Sequence, residues 1–269
     1  MKTMIEWKNR IIIGGLPRSG STLLRWHLDA SKEIIAPAET TFLQFLLNYN
    51  QDLVESRSRR INQSLMIGEE KISEIILQSN SSIEAFDLIM EEYASERNSH
   101  ANVWVEKTPW NCLSYSWLAR ERGDLWFIST VRDGRDVVTS KHWNKEKSPF
   151  QSGFHCPVQR YVDAMGLIYS FDHPKHLIIK YEDFVDNPKR VLVGLFNTIG
   201  LTWDDDILEN ARVESPSRQA NYDRQPLLTM IPTTERIGRW ERPEYKEKIE
   251  EFYSHSDATF WLESSGYSV

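Results

Sequence analysis

Residues 10–25 read RIIIGGLPRSGSTLLR. Ile11, Ile12 and Ile13 form a short β-branched run, glycines follow at once, and Leu23, Leu24, Trp26, His27 and Leu28 then recur at helical spacing. The stretch predicts a strand, a tight turn and a helix. Such a turn aims successive backbone N–H groups and the positive end of a helix dipole at one point, where an anion binds. Gly14, Gly15 and Gly20 permit the tight backbone, Ser19, Ser21 and Thr22 bring hydroxyl donors, and Arg18 brings a cation. Gly15 and Gly20 have the spacing of the nucleoside-triphosphate loop G-x-x-x-x-G-K-[ST], yet Ser21 stands where that motif has its lysine. A kinase or phosphotransferase acting on Mg²⁺-ATP is the rival reading, and Ser21 speaks against it.

Outward from this stretch, Val103 to Val105, Leu125 to Val131 and Leu177 to Ile179 read as further buried strands, separated by helix-like sequence. This βαβ rhythm predicts an α/β protein, a three-layer α/β/α sandwich with a central parallel sheet. One domain over residues 1–269 is expected, with a helical insertion at about 40–100, where Ile72, Ile75, Ile76, Phe86, Ile89, Met90 and Tyr93 keep helical spacing. Proline-bearing stretches at 144–157 and 214–237 break the rhythm and are candidate substrate loops.

The strand at Leu125 to Val131 runs into Arg132-Asp133-Gly134-Arg135-Asp136 and then a helix bearing Ser140. Ligands of open α/β sheets bind at the carboxyl ends of strands, so Arg132 and Ser140 make a second anion pocket. Asp133, Arg135 and Asp136 read as a solvated charge cluster at a helix start. Elsewhere the composition mainly excludes. A formal net charge of −7 argues against a nucleic-acid binder. The first fifteen residues hold only a three-residue apolar run, so neither a signal-peptide core nor a membrane span is expected there. Cys112 and Cys156 form no disulfide framework, so a cytoplasmic location is expected. Proline inside His173-Pro-Lys-His176 breaks the spacing a helical metal site would use, and no metal is expected.

GGLPRSGSTLL resembles the 5′-phosphosulfate loop of sulfotransferases that use 3′-phosphoadenosine 5′-phosphosulfate (PAPS). VRDGRDVVTS is similar to that family's 3′-phosphate motif, which assigns this phosphate to Arg132 and Ser140. The two motifs stand in the family's order and separation. Lys180-Tyr181-Glu182-Asp183 resembles a segment whose tyrosine lies near the nucleotide, and Gly238-Arg239-Trp240 resembles a late motif with a phosphate-binding basic residue. The Arg-Lys-Gly found there in cytosolic aryl and steroid sulfotransferases is absent.

The resemblance implies PAPS as co-substrate and Lys107, in Glu106-Lys107-Thr108-Pro109, as a catalytic cation. Cytosolic sulfotransferases place a basic histidine two residues after that lysine, where this chain has Pro109. Glu39, in Ala38-Glu39-Thr40-Thr41, instead matches the catalytic glutamate of tyrosylprotein sulfotransferases in its spacing from Pro17, and is the candidate base. Arg18 and Lys107 would stabilise charge on the transferred group. The expected acceptor is a small-molecule hydroxyl or amine, cationic or aromatic, on which Trp110, Trp143 or Trp240 could stack. A nucleotide-binding regulator without catalysis is the rival of a different class, and the presence of Glu39 and Lys107 speaks against it.

Overall fold

The computed structural model describes residues 5–44, 51–97, 99–140, 157–212 and 231–269. Five strands, β1 (Asn9–Gly15), β2 (Ile34–Ile35), β3 (Val103–Lys107), β4 (Trp126–Val131) and β5 (His176–Lys180), form one sheet in the order β2-β3-β1-β4-β5. Every pairing is parallel. Side chains alternate along β1: Ile12 enters one apolar cluster, and Ile11 and Ile13 enter the other. The uninterrupted isoleucine run therefore belongs to a strand covered on both faces, as a parallel sheet requires.

One face carries α1 (Ser21–Leu28), α8 (Tyr181–Asp186), α9 (Pro188–Ile199) and α10 (Ile207–Asn210), whose Leu24, Phe184, Phe196 and Ile207 share a cluster with Ile11 and Ile13. The other face is covered by α2 (Gln51–Leu65), α3 (Glu69–Gln78), α4 (Ser82–Glu96), α5 (Tyr115–Glu121), α6 (Gly134–Val138), α7 (Pro157–Ser170), α11 (Lys246–Ser254) and α12 (Ser256–Ser264). The three-layer α/β/α architecture is thus present. The expected helices of residues 40–100 are α2, α3 and α4, with Ile72, Ile75, Ile76, Phe86, Ile89, Met90 and Tyr93 all in the core. Ser81 caps α4 by accepting a hydrogen bond from the Glu84 amide at 3.1 Å.

Strand β2 has no counterpart in the sequence reading, because two residues are too short to display a period. Of the first candidate loop, residues 144–156 lie outside the described residues, and Pro157 already opens α7. Of the second, residues 214–230 lie outside them, and residues 234–236 form a 3₁₀ turn. Among the described residues no helix is long and apolar enough to cross a membrane.

The sheet is tightest where β1 meets β4. Gly15 pairs with Thr130, and a Cβ at Gly15 would strike the Thr130 carbonyl oxygen. Gly15 also has φ of 137°, which a side chain would resist. Gly15→Ala is expected to destabilise by about 1–3 kcal/mol, whereas Gly194→Ala, in an open position of α9, should be neutral or stabilising by about 0.5–1 kcal/mol. Urea unfolding of both variants checks the contrast.

Candidate active site

The parallel registers bring the ends of four strands together. Ile13 pairs with Lys107 on one side of β1, Gly15 pairs with Thr130 on the other, and Val131 pairs with Lys180. The turn after β1, Lys107, Arg132 and Tyr181 consequently share the carboxyl edge of the sheet.

In that turn the Ser19 hydroxyl donates to the Leu16 carbonyl at 2.6 Å and shares a 2.7 Å hydrogen bond with Thr130. Ser19 is fully buried, so its hydroxyl shapes the loop and is not an open donor. Gly20, with φ of 94°, is the left-handed residue ahead of α1, and no side chain caps that helix. Ser21 and Thr22 lie in its first turn. A Cβ on Gly20 would come within 2.6 Å of the Tyr181 ring, so only glycine lets this ring lie against the loop. Arg18 takes φ of 79°, a left-handed conformation that costs a non-glycine residue roughly 1–2 kcal/mol. Its Nε donates to Ser140 Oγ at 3.0 Å, which joins the two sequence motifs directly.

Arg132 is buried. Its Nη1 donates to the Arg18 carbonyl at 3.3 Å, its Nη2 donates to Asp136 and to the Arg236 carbonyl, and its guanidinium lies 4.2 Å above the Tyr181 ring. Its buried Nε has no hydrogen-bond partner among the described residues. Desolvation in the cleft, followed by the positive charges of Arg132 and Arg236, holds the Arg18 guanidinium below its usual range, and Arg239 adds to this. Burial pushes the Tyr181 phenol up, against the opposing pull of Arg132. These groups form a positive pocket rimmed by an aromatic ring, with Arg132 buried at its base and Arg18 exposed at its mouth.

Asp133, Arg135 and Asp136 are not the solvated cluster the sequence suggests; all three are buried. Arg135 bonds to Asp133 at 2.7 Å and to the Tyr253 hydroxyl at 2.8 Å, and it stacks 4.0 Å above Trp240. Trp240 is thus covered by the protein's own cation. Trp110 is half-buried, with Arg160 6.0 Å from its ring, and Trp143 lies outside the described residues. His176 bonds to Ser129 at 2.9 Å and packs with His173 against Phe171, so the histidine pair is part of the packing.

Beside the pocket, Lys107 Nζ donates to Glu39 Oε2 at 2.9 Å. The lysine side chain is 2 % exposed and that of the glutamate 28 %, so the pair opens on the carboxylate side. Glu106, fully buried, holds it in place. Its Oε1 accepts from the hydroxyls of Thr40 and Thr108 at 2.7 Å each, and its Oε2 accepts from the Asn111 amide. Asn111 also donates to the Ile13 carbonyl at 3.1 Å. The segment bearing Glu39, the end of β3 and the end of β1 therefore meet on one carboxylate, whose pKa burial raises. Sequence reasoning passed over Glu106, Asn111 and Arg236. A buried acid beside a lysine in a strand was a signal for the first two, whereas Arg236 is reached only through tertiary contacts.

Residues 10–205 match the model of the sulfotransferase family, and the chain belongs to that family. Protein-tyrosine sulfotransferase 2 of Gallus gallus is 28% identical over 209 residues, covering 74% of this chain and 53% of the relative. Protein-tyrosine sulfotransferase 1 of Danio rerio is 29% identical over 205 residues, with 74% and 55% covered. The chain spans about half the length of these curated relatives. The fold is shared with the sulfotransferase domain from the Synechococcus PCC 7002 olefin synthase, with a TM-score of 0.62, 16% identity, and 97% and 95% of the two chains covered. The sulfotransferase domain from the curacin biosynthetic pathway gives 0.58 at 16% identity, with 97% and 98% covered.

Glu106→Gln places an amide donor among three existing donors. It is expected to cost about 1–3 kcal/mol of stability and to lower turnover by loosening the Glu39–Lys107 pair, while nucleotide affinity is kept. Urea unfolding and steady-state kinetics on one preparation check this.

Proposed function

We propose that this chain is a sulfotransferase that moves a sulfuryl group from PAPS to an acceptor hydroxyl. The observation that carries the reading is the meeting, at one sheet edge, of an uncapped helix start, two arginine-bearing anion loops and the Glu39–Lys107 pair. The arginines, the helix start and Lys107 supply the positive charge that a nucleotide with two separate phosphate groups needs, so the proposal contains no metal step. The free Nε of Arg132 and the uncapped start of α1 after Gly20 fit such a nucleotide.

In this reading the loop of Arg18, Gly20, Ser21 and Thr22 holds the 5′-phosphosulfate end, with Ser19 shaping it. Arg132 and Ser140 hold the 3′-phosphate, aided by Arg239, and Tyr181 lies along the nucleotide. PAPS supplies the sulfuryl group and leaves as 3′,5′-adenosine bisphosphate. The acceptor oxygen forms its bond to sulfur as the bond from sulfur to the 5′-phosphate oxygen breaks, and that oxygen keeps the electron pair. Glu39 takes the acceptor proton. Once its carboxylate is neutralised, Lys107 is released from its ion pair to face the oxygen gaining charge. A cation about 4 Å from a unit charge contributes about 4 kcal/mol at an effective dielectric of about 20.

The acceptor we assign is a phenolic hydroxyl. The names of the curated relatives support a tyrosyl side chain of a protein, and a small phenol, one of the small aromatic or cationic acceptors expected from the sequence, is the second form of the same chemistry. A cytoplasmic location belongs to the proposal as well and rests on the paucity of cysteines.

Transfer of labelled sulfate from PAPS should be measured across tyrosine-containing peptides, small phenols and amines, with and without a chelator. The proposal expects chelator-insensitive transfer to at least one phenol, and no transfer to any phenol, including transfer to amines alone, would overturn it. Glu39→Gln should keep nucleotide affinity and lower turnover by about 10²–10⁴-fold. Near wild-type turnover in that variant would remove Glu39 from the role.

A further inference from the structure

Asp136 stands at the centre of a contact that the nucleotide reading leaves unexplained. Its side chain is fully buried. Oδ2 accepts from the Gly238 amide at 3.0 Å and from Arg132 Nη2 at 3.3 Å, and Oδ1 accepts from the Trp240 amide at 3.1 Å. Gly238, with φ of 70°, lets the chain turn so that both amides face one carboxylate. The neighbouring side chains fasten the same segment: Arg135 covers the Trp240 ring, and Arg132 donates to the Arg236 carbonyl. Residues 236–240 are therefore fixed to residues 132–136 at several points, and Asp136 supplies two of them.

That attachment has an electrostatic consequence. It holds Arg236 and Arg239, like Arg132, within electrostatic range of Arg18. Four guanidinium groups around one pocket repel one another, and the repulsion is screened least at the buried Arg132. Asp136 is the acid bonded to that arginine cluster. A carboxylate that bonds at once to a phosphate-facing arginine and to the backbone carrying two more arginines does more than fill space.

We propose that Asp136 is a positioning residue that ties the 236–240 segment to the anion pocket, so that Arg236 and Arg239 act together with Arg132 on the 3′-phosphate of the nucleotide. This inference rests on the nucleotide reading above and adds a residue that acts through others. Asp136 discriminates a nucleotide with a 3′-phosphate from one without.

The test is calorimetric titration of the wild-type protein, Asp136→Asn and Asp136→Ala with 3′,5′-adenosine bisphosphate and with 5′-AMP, alongside amide hydrogen exchange. Asp136→Asn keeps the side chain's size and one acceptor oxygen while losing the charge and the other acceptor, which serves if the alanine variant folds poorly. Bisphosphate affinity should fall about 10–100-fold and 5′-AMP affinity far less. The amides of Gly238 and Trp240 should exchange faster, while those of β1 keep their wild-type rates. Equal losses for both nucleotides, unchanged bisphosphate affinity, or unchanged exchange at 238 and 240 would each overturn the assignment. Failure of the wild-type protein to bind the bisphosphate would overturn the nucleotide reading itself, and this inference with it.

Discussion

The contact between Gly15 and Thr130 sets the geometry of everything that follows. Because β1 ends against the Thr130 carbonyl with no room for a side chain, the turn after β1 and the loop after β4 must leave the sheet side by side. Arg18 then reaches Ser140, and Arg132 reaches the Arg18 carbonyl. On the other side of β1 the same register sets Lys107 beside Ile13. The glycine-bearing turn with Arg18, the loop with Arg132, and Lys107 thus converge. Parallel strands make this possible, since they present all their carboxyl ends, and hence all their following loops, at one edge.

Two buried carboxylates organise the edge, and they differ in their partners. Glu106 is met by neutral donors, Thr40, Thr108 and Asn111, and its burial raises its pKa. Asp136 is met by one guanidinium and two backbone amides, and burial raises its pKa too, with Arg132 pulling the other way. Each ties a segment of irregular chain to the end of a strand. A buried acid left without such donors would cost several kcal/mol, so these networks are specific as well as stabilising. They hold the reactive groups of a pocket whose arginines would otherwise push one another apart.

Much of this was legible in the sequence, and the reason differs from part to part. Ile11 to Ile13 followed by glycines announced the central strand and the loop, because a covered parallel strand and a tight turn both write themselves in composition. The spacing of Ile72, Ile76, Phe86 and Met90 announced helices α3 and α4 for the same reason. Strand β2 was invisible, since Ile34 and Ile35 owe their state to pairing with Val103 and Trp104. Arg132 and Ser140 were singled out by their place after a strand's carboxyl end and by the resemblance, and the structure brings both to Arg18. The burial of Asp133, Arg135 and Asp136 was missed, because charged residues at a helix start read as solvated unless one knows that residues 236–240 fold back over them. Ser19 was taken as an open donor, yet its hydroxyl turns inward to Leu16 and Thr130.

The central claim is that the two anion loops serve one nucleotide with phosphates at both its 3′ and 5′ ends. Calorimetric binding of 3′,5′-adenosine bisphosphate to the purified protein, set against ATP with Mg²⁺, tests it most directly. The account predicts metal-independent binding of the bisphosphate, tighter than that of Mg²⁺-ATP and lost in Arg132→Ala. A preference for Mg²⁺-ATP, undisturbed by that substitution, would contradict it.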